Sequence, residues 1–297
     1  MCIIDEMYKN SVEQHEIDNM GHMNVQFYVQ HALNACDLYF RKKDWTNKSE
    51  SLDSVFNLET ILIRYLREQT LATPFQISAN LVYVSNSKIV VFLEMHNLKK
   101  NAISATFLLN FTYEATLTKN KLSLSRIDTD RPLPKFSVPR HGLKKGLANL
   151  PVLDLTSLSK NKKSNILNSF CGIATRKNSN EFTQLNAADY MGIVSKAVPH
   201  LLLEGGHSVE DTNIGGVALE YEFHFNRFVE VGSGVTLKSG LRHITEKIYT
   251  WTHWFIDIST TEVLAVADSV IITMDLKTRK SVPIPKKMRE KLKKILI

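Results

Sequence analysis

Cysteine, proline and glycine are all scarce in this 297-residue chain, which holds 3 Cys, 8 Pro and 12 Gly. Cys2, Cys36 and Cys171 are an odd number with no paired-ligand spacing. Neither a disulfide framework nor a thiolate zinc site is expected, and a reducing, cytoplasmic setting is the default. So little Pro and Gly, beside 43% hydrophobic residues, excludes a low-complexity or disordered chain. Long apolar runs are missing too. Ile89–Leu93 is typical of the longest, against the ~20 residues that a membrane helix needs, so no integral membrane segment is expected. Residues 1–10 have neither the basic start nor the apolar run of a secretory leader. No phosphate-binding loop and no dinucleotide fingerprint occurs, and no cofactor is expected. The Ser233 context, Val-Gly-Ser-Gly-Val, lacks the spacing of an α/β-hydrolase elbow.

Net charge is +7, which taken alone points to nucleic acid or a membrane surface. Its distribution argues otherwise. Residues 117–177 carry 13 Lys/Arg against 3 Asp/Glu, residues 277–297 carry 9 against 1, and the remainder nets −11. The basicity belongs to one connecting stretch and one tail, and no nucleic-acid partner is expected.

Hydrophobic periodicity shows one unit twice. Met20 to Phe40 has helical spacing, with Val25, Tyr28, Val29, Ala32, Leu33 and Cys36 on one face. Strand-like runs follow at Glu59–Tyr65, Phe75–Val84, Lys88–His96 and Ile103–Thr116. Residues 120–165 are rich in Lys, Ser, Asn and Pro and read as a linker. A strand near Cys171–Arg176 then leads to a helix at Ala187–Glu204, closed by Gly205–Gly206. Four more β-rich runs complete the second half: Ala218–Phe228, Gly234–His243, Lys247–Ser259 and Val263–Leu276. The expected domains are 1–119, the linker 120–165, 166–285, and a basic amphipathic tail 286–297. Both helices are too apolar to sit free, so each sheet must cover its helix.

Residues 18–28 lie over 180–190 at a constant offset of 162, pairing Asn24 with Asn186 and Tyr28 with Tyr190. Across the same alignment Asp18 becomes Asn180, Gly21 becomes Thr183 and His22 becomes Gln184. The pattern is that of a duplication in which one copy keeps ionisable chemistry and the other has lost it.

The segment Ile-Asp-Asn-Met-Gly-His-Met-Asn, 17–24, opens the first helix. A helix start offers unpaired N–H groups and partial positive charge, which polarise a carbonyl and hold the oxyanion formed on attack. Gly21 permits a tight turn and close approach of a ligand. Asp18 is suited to act as nucleophile or general base, with His22 and Asn24 orienting the acyl group. The bland alternative is an ordinary cap, in which Asn or Asp caps, Gly turns and His is solvated.

The pattern Asp18-x-x-Gly21-His22-Met23-Asn24-x-x-x-Tyr28 resembles the signature of hotdog-fold acyl-CoA thioesterases, the 4-hydroxybenzoyl-CoA thioesterase-like superfamily. Ile63–Glu68 and Phe92–His96 resemble that family's second and fourth strands, especially in its betainyl-CoA, carnitine-operon branch. Val194–Leu202 resembles the second-half helix of tandem members, and Asp275–Lys280 with Pro283 and Pro285 resembles the segment after their last strand. The resemblance implies an α+β chain of two tandem hotdogs, each a long helix wrapped by an antiparallel sheet, the sheets joined edge to edge. It further implies hydrolysis of an acyl-CoA thioester, within lipid metabolism, at a site between the halves. Asp18, Gly21, His22 and Asn24 would be catalytic there, and Tyr28, Glu59, His96, Asn186 and Tyr190 would bind substrate. Ala105-Thr106 follows the family, whereas Phe107–Asn110 lacks the Glu and His that often come next. With one degenerate copy, at most one working site per chain is expected, in a monomer of two hotdogs or a dimer of these. A non-catalytic acyl-thioester binding or sensing protein is the rival, and a hydratase a distant third.

His200, Glu204 and His207 have helical spacing for a metal, but Gly205–Gly206 would end the helix before His207, and no metal site is expected. His224, His243 and His253 read as structural strand histidines. In the tail, Met288, Leu292, Ile295 and Leu296 form an apolar stripe expected to pack on the protein body.

Overall fold

The computed structural model describes residues 5–46, 52–85, 87–113, 165–175, 184–204 and 213–297. The chain divides into two compact units, Met1–Pro139 and Arg140–Ile297. The expected linker falls almost wholly outside the described residues, as do Gly205–Gly206 and His207.

The first unit contains β1 (Asp5–Ser11), α1 (Val25–Lys42), β2 (Asn57–Tyr65), β3 (Pro74–Val84), β4 (Lys88–Asn97) and β5 (Ala102–Thr112). Its antiparallel sheet runs in the order β1-β3-β4-β5-β2. Alternation decides the faces: Phe75, Ile77 and Ala79, Val91, Leu93 and Met95, and Ala105, Phe107 and Leu109 are all buried. Helix α1 packs on β1, β3 and β4, with the Phe40 ring 4.6 Å from Phe56 and 5.6 Å from Phe111.

In the second unit lie β6 (Ile166–Ile173), α2 (Ala187–Glu204), β7 (Ile214–Phe225), β8 (Gly234–Ile244), β9 (Ile248–Asp257), β10 (Val263–Asp275), the two-residue β11 (Lys280–Ser281) and α3 (Lys286–Lys294). The strand order β6-β8-β9-β10-β7 reproduces that of the first unit, with β11 added on β10. Each unit is a long helix on an antiparallel sheet, the α+β architecture that the resemblance implies.

Matched backbone bonds establish the repeat independently of side-chain identity. Met23 N donates to Gln69 O at 2.8 Å, and Leu185 N to Val229 O at 2.9 Å. Arg67 N donates to Ser104 O and Arg227 N to Leu264 O, both at 3.0 Å. Left-handed backbone recurs as well, at Ala72 (φ 56°) and Gly232 (φ 95°), and at Asn101 (φ 46°) and Thr261 (φ 62°). The residue offset is 162 up to the helix starts and 160 along the sheet strands from β2 and β7 onward.

Two expectations are revised. Helix α1 begins at Val25 rather than Met20, because Asn24 caps it by accepting the Gln26 amide at 2.9 Å. The Asp18–Met23 segment is a loop ahead of the helix. Strand β1 carried no signal in the periodicity, five of its seven residues being polar; it forms because β3 supplies its hydrogen-bond partners. The tail behaves as expected. Met288 and Leu292 of α3 pack with Leu201, Leu241, Tyr249, Trp251 and Ile284, leaving the helix's other face to solvent.

Candidate active site

The loop from Ile17 to Met23 is closed at its base by a bridge between those two residues. Inside it, Asp18 N donates to His22 O at 3.0 Å and Gly21 N to Asp18 O at 3.1 Å. Gly21 adopts φ +81°, and a Cβ there would meet nothing within 4 Å. Glycine is therefore required by the turn and not by crowding, and the space over it is open.

This turn aims its polar side chains at one another. Asp18 Oδ1 accepts the Met20 amide at 2.8 Å, while Oδ2 lies 3.5 Å from His22 Nδ1. Nε2 of the same ring lies 3.6 Å from Glu68 Oε1. His22 thus stands between two carboxylates, its side chain 17% exposed and that of Asp18 18%. Glu68 was missed as a candidate from sequence: it sits outside the signature, on the β2–β3 loop, and reaches His22 only through the fold.

At the start of α1 the amides are largely used. Met23 N bonds Gln69 O, Asn24 N bonds Glu16 O at 2.8 Å, and Phe27 N bonds Asn24 O. The N–H groups of His22 and Val25 have no hydrogen-bond partner among the described residues. They flank Met23 and Asn24, next to the Asp18–His22 pair.

Other candidates have structural duties. The Asn24 side chain is the helix cap. Tyr28 OH donates to Arg67 O at 3.2 Å and accepts from Gln69 N at 2.9 Å, tying the β2–β3 loop to α1. Burial, helped by the Asp18 charge, holds its phenol well above the usual tyrosine range. Tyr190 repeats this brace, donating to Arg227 O at 3.1 Å and accepting from Val229 N at 2.9 Å. Asn186 N donates to Asp189 Oδ2 at 2.8 Å and its Oδ1 accepts the Asp189 amide at 3.1 Å, a reciprocal cap on α2.

Two residues are not brought to the loop. Glu59 lies toward the far end of β2 from Tyr65, roughly 20 Å along the strand, with Lys88 Nζ 3.9 Å away. His96 alternates with the buried Met95 and so points to the sheet face away from α1, where Glu94 Oε2 is 3.3 Å distant. Among the described residues no group of His, Cys, Asp and Glu is arranged to hold a metal ion, and no helix is long and apolar enough to cross a membrane.

Comparison with known proteins identifies the family. The thioesterase-like superfamily model matches residues 12–122 and again 177–292. The chain belongs to the thioesterase-like superfamily. Both repeats are matched, so this superfamily protein is a double hotdog, and the second copy is a family domain with Asn180, Thr183 and Gln184 where the first has Asp18, Gly21 and His22. No curated protein matches it. Solved structures share the fold across nearly the whole length. An acyl-ACP thioesterase from Bacteroides thetaiotaomicron is 12% identical with a TM-score of 0.63, covering 89% of this chain and 96% of its own. The 12:0-ACP thioesterase from Umbellularia californica is 9% identical with a TM-score of 0.63, covering 90% and 93%. A hot dog fold protein from Alicyclobacillus acidocaldarius is 11% identical with a TM-score of 0.53, covering 90% and 93%.

Proposed function

We propose that the protein hydrolyses an acyl thioester, of coenzyme A in the first instance, at the Asp18–His22 loop. The observation that carries this is the Asp18 carboxylate held against His22 beside two unpartnered amides at the start of α1. In this reading Asp18 takes a proton from water as the water oxygen attacks the thioester carbon. The His22 and Val25 amides hold the tetrahedral oxyanion. The C–S bond then breaks, the proton passes to the departing sulfur, and acid and thiol leave. Attack by the Asp18 carboxylate itself, followed by hydrolysis of the mixed anhydride, gives the same products. Glu68, 3.6 Å from His22 Nε2, puts a second carboxylate on the other side of the ring.

Charge around the loop supports an anionic carrier for the acyl group. Arg67, Lys99 and Lys100 are exposed, and none has an ion-pair partner among the described residues. The Lys99–Lys100 turn is joined to the site through Asn97, whose Nδ2 donates to Gln69 Oε1 at 2.6 Å and whose Oδ1 accepts Lys100 N at 2.8 Å. In the degenerate copy the equivalent Arg227 is held by Glu262 at 3.1 Å and Asp257 at 3.8 Å. Ser259 and Thr260 stand there in place of the two lysines. The copy that keeps the Asp-Gly-His residues is also the one with cations left to meet phosphate.

Thiol release from short, medium, long and polar acyl-CoAs, and from a carrier-protein thioester, tests the proposal in wild type and Asp18→Ala. Loss of a positioned base or nucleophile is expected to lower kcat by about 100-fold or more. Hydrolysis unchanged in Asp18→Ala would remove the mechanism. Tight thioester binding with no turnover of any substrate would leave an acyl-thioester binding protein instead.

A further inference from the structure

A line of three polar side chains leads from β1 to the turn just ahead of the Asp18 loop. Tyr8 on β1 meets His31 Nδ1 at 2.9 Å, and His31 Nε2 on α1 meets Glu16 Oε1 at 2.7 Å. Glu16 is 4% exposed and His31 5%. Asn10 Nδ2 donates to the Tyr8 oxygen at 2.9 Å. A carboxylate only accepts, so the Nε2 N–H of His31 donates to Glu16. The second Glu16 oxygen accepts the Glu13 amide at 2.9 Å, and the His31 ring packs edge-on against Phe75 at 4.8 Å. The line spans a strand, the Gln14–Glu16 turn and the long helix.

Its far end touches the candidate active site through the backbone. Glu16 O accepts the amide of Asn24, the α1 cap, at 2.8 Å. Glu16 and Asn24 therefore form the rung just outside the Ile17–Met23 bridge, and Asp18 is two residues beyond the anchored carboxylate. An untethered Glu16 would leave the upstream leg of the Asp18 turn held by main-chain bonds alone.

The second copy provides an internal control. At the matching positions Tyr8 becomes Phe170, His31 becomes Ile193 and Glu16 becomes Asn178. Phe170 and Ile193 lie on β6 and α2, as Tyr8 and His31 lie on β1 and α1. Two of the three positions are thus apolar on the same strand and helix of the second copy, so the repeated fold does not of itself call for a buried histidine and carboxylate. They occur only where Asp18, Gly21 and His22 occur. Burial pushes the Glu16 carboxyl up, but the bonds from His31 and the Glu13 amide and the charges of His31 and His15 bring it below its ordinary value. The carboxylate is thus kept ionised in its buried place.

We propose that Tyr8, His31 and Glu16 are positioning residues, a buried relay that sets the backbone of the Asp18 turn for catalysis. This rests on the thioester hydrolysis argued above. The relay acts on the geometry of the reacting carboxylate and not on capture of the thioester, so its loss falls on kcat and leaves KM near its wild-type value.

The test compares His31→Gln, His31→Leu and the double variant His31→Ile/Glu16→Gln, with Asp18→Ala as reference, in the full chain. Glutamine can donate to Glu16 and accept from Tyr8, whereas leucine does neither. The double variant leaves no unpaired buried charge and remains usable if His31→Leu does not fold. Expected is a kcat lowered at least 10-fold in His31→Leu or the double variant, with KM within about 2-fold. His31→Gln should recover most of that loss at an unchanged melting temperature. A folded double variant with wild-type kcat, or a His31→Gln no better than it, overturns the relay while Asp18→Ala still reports on the reaction. Activity unaffected by Asp18→Ala would overturn the hydrolysis mechanism separately.

Discussion

Lowering the pH should destabilise the protein through a histidine that has no part in the proposed chemistry. His253, in the core of the second unit, is 1% exposed. Its Nδ1 meets Ser239 Oγ at 2.8 Å and its Nε2 meets Ser269 Oγ at 3.3 Å; Ser239 in turn meets Ser169 Oγ at 2.7 Å. Burial among these neutral partners pulls its pKa from 6.5 down to about 3. In the unfolded chain the ring gains a proton once the pH falls below about 6.5, while in the folded chain it stays neutral until about 3. The unfolded state then binds more protons, so stability is complete above pH 6.5 and drains away as pH falls toward 3. The slope approaches about 1.4 kcal/mol per pH unit. Between pH 7 and pH 4.5 the loss integrates to about 2.5 kcal/mol, a large part of the ~5–15 kcal/mol that domains possess. Urea unfolding followed through Trp251 and Trp254 at both pH values measures it in wild type and His253→Gln. Glutamine can still bridge the two serines but does not titrate, so the wild type should lose about 2.5 kcal/mol more than the variant over this interval. An identical pH dependence in the two proteins would refute the argument.

Three further predictions use other parts of the structure. Replacing Lys99 and Lys100 by the Ser and Thr of the second copy should raise KM for an acyl-CoA several-fold and flatten its dependence on salt; steady-state kinetics at 50 and 300 mM salt decide it. Leu292→Ala removes a side chain that is 1% exposed in the α3 cluster and should cost about 2–5 kcal/mol in urea unfolding, a loss under 1 kcal/mol meaning that the tail is dispensable. Gly21→Ala has open space for its methyl but must hold φ +81°, so a cost of about 1–2 kcal/mol is expected, together with lower kcat from a displaced Asp18; full activity would show that the turn tolerates rearrangement.

Much of this architecture was legible from periodicity. The second helix, Ala187–Glu204, has the bounds expected of it, and the eight main strands fall within a few residues of theirs, since alternation and β-branched content report a half-buried sheet directly. Strand β1 was not legible, because its pairing with β3 is a contact between distant segments. The start of α1 was misplaced for a related reason: Met20 and Met23 continue the apolar spacing of the helix, but Gly21 at positive φ and the Asn24 cap end it.

For the candidate site the signature located the loop and its chemistry, but not the use of each side chain. Asp18 and His22 do face each other, as four-residue spacing in a tight turn allows. Tyr28 looked like a substrate contact because it ends the signature, yet both hydrogen-bonding capacities of its hydroxyl are spent on Arg67 and Gln69. Glu59 and His96 were drawn from strands whose reach to the site depends on which end and which face they present.

By itself the sequence determined the duplication, the element types, the decay of one copy and the loop that carries ionisable chemistry, because these depend on residue order and local spacing. Only the tertiary structure decided that Glu68 reaches His22, that Tyr8, His31 and Glu16 line up, and that Arg67 has no ion-pair partner among the described residues where Arg227 is neutralised. Those contacts join residues tens of positions apart, and their partners are set by strand register and by the face each residue occupies, which no local pattern encodes.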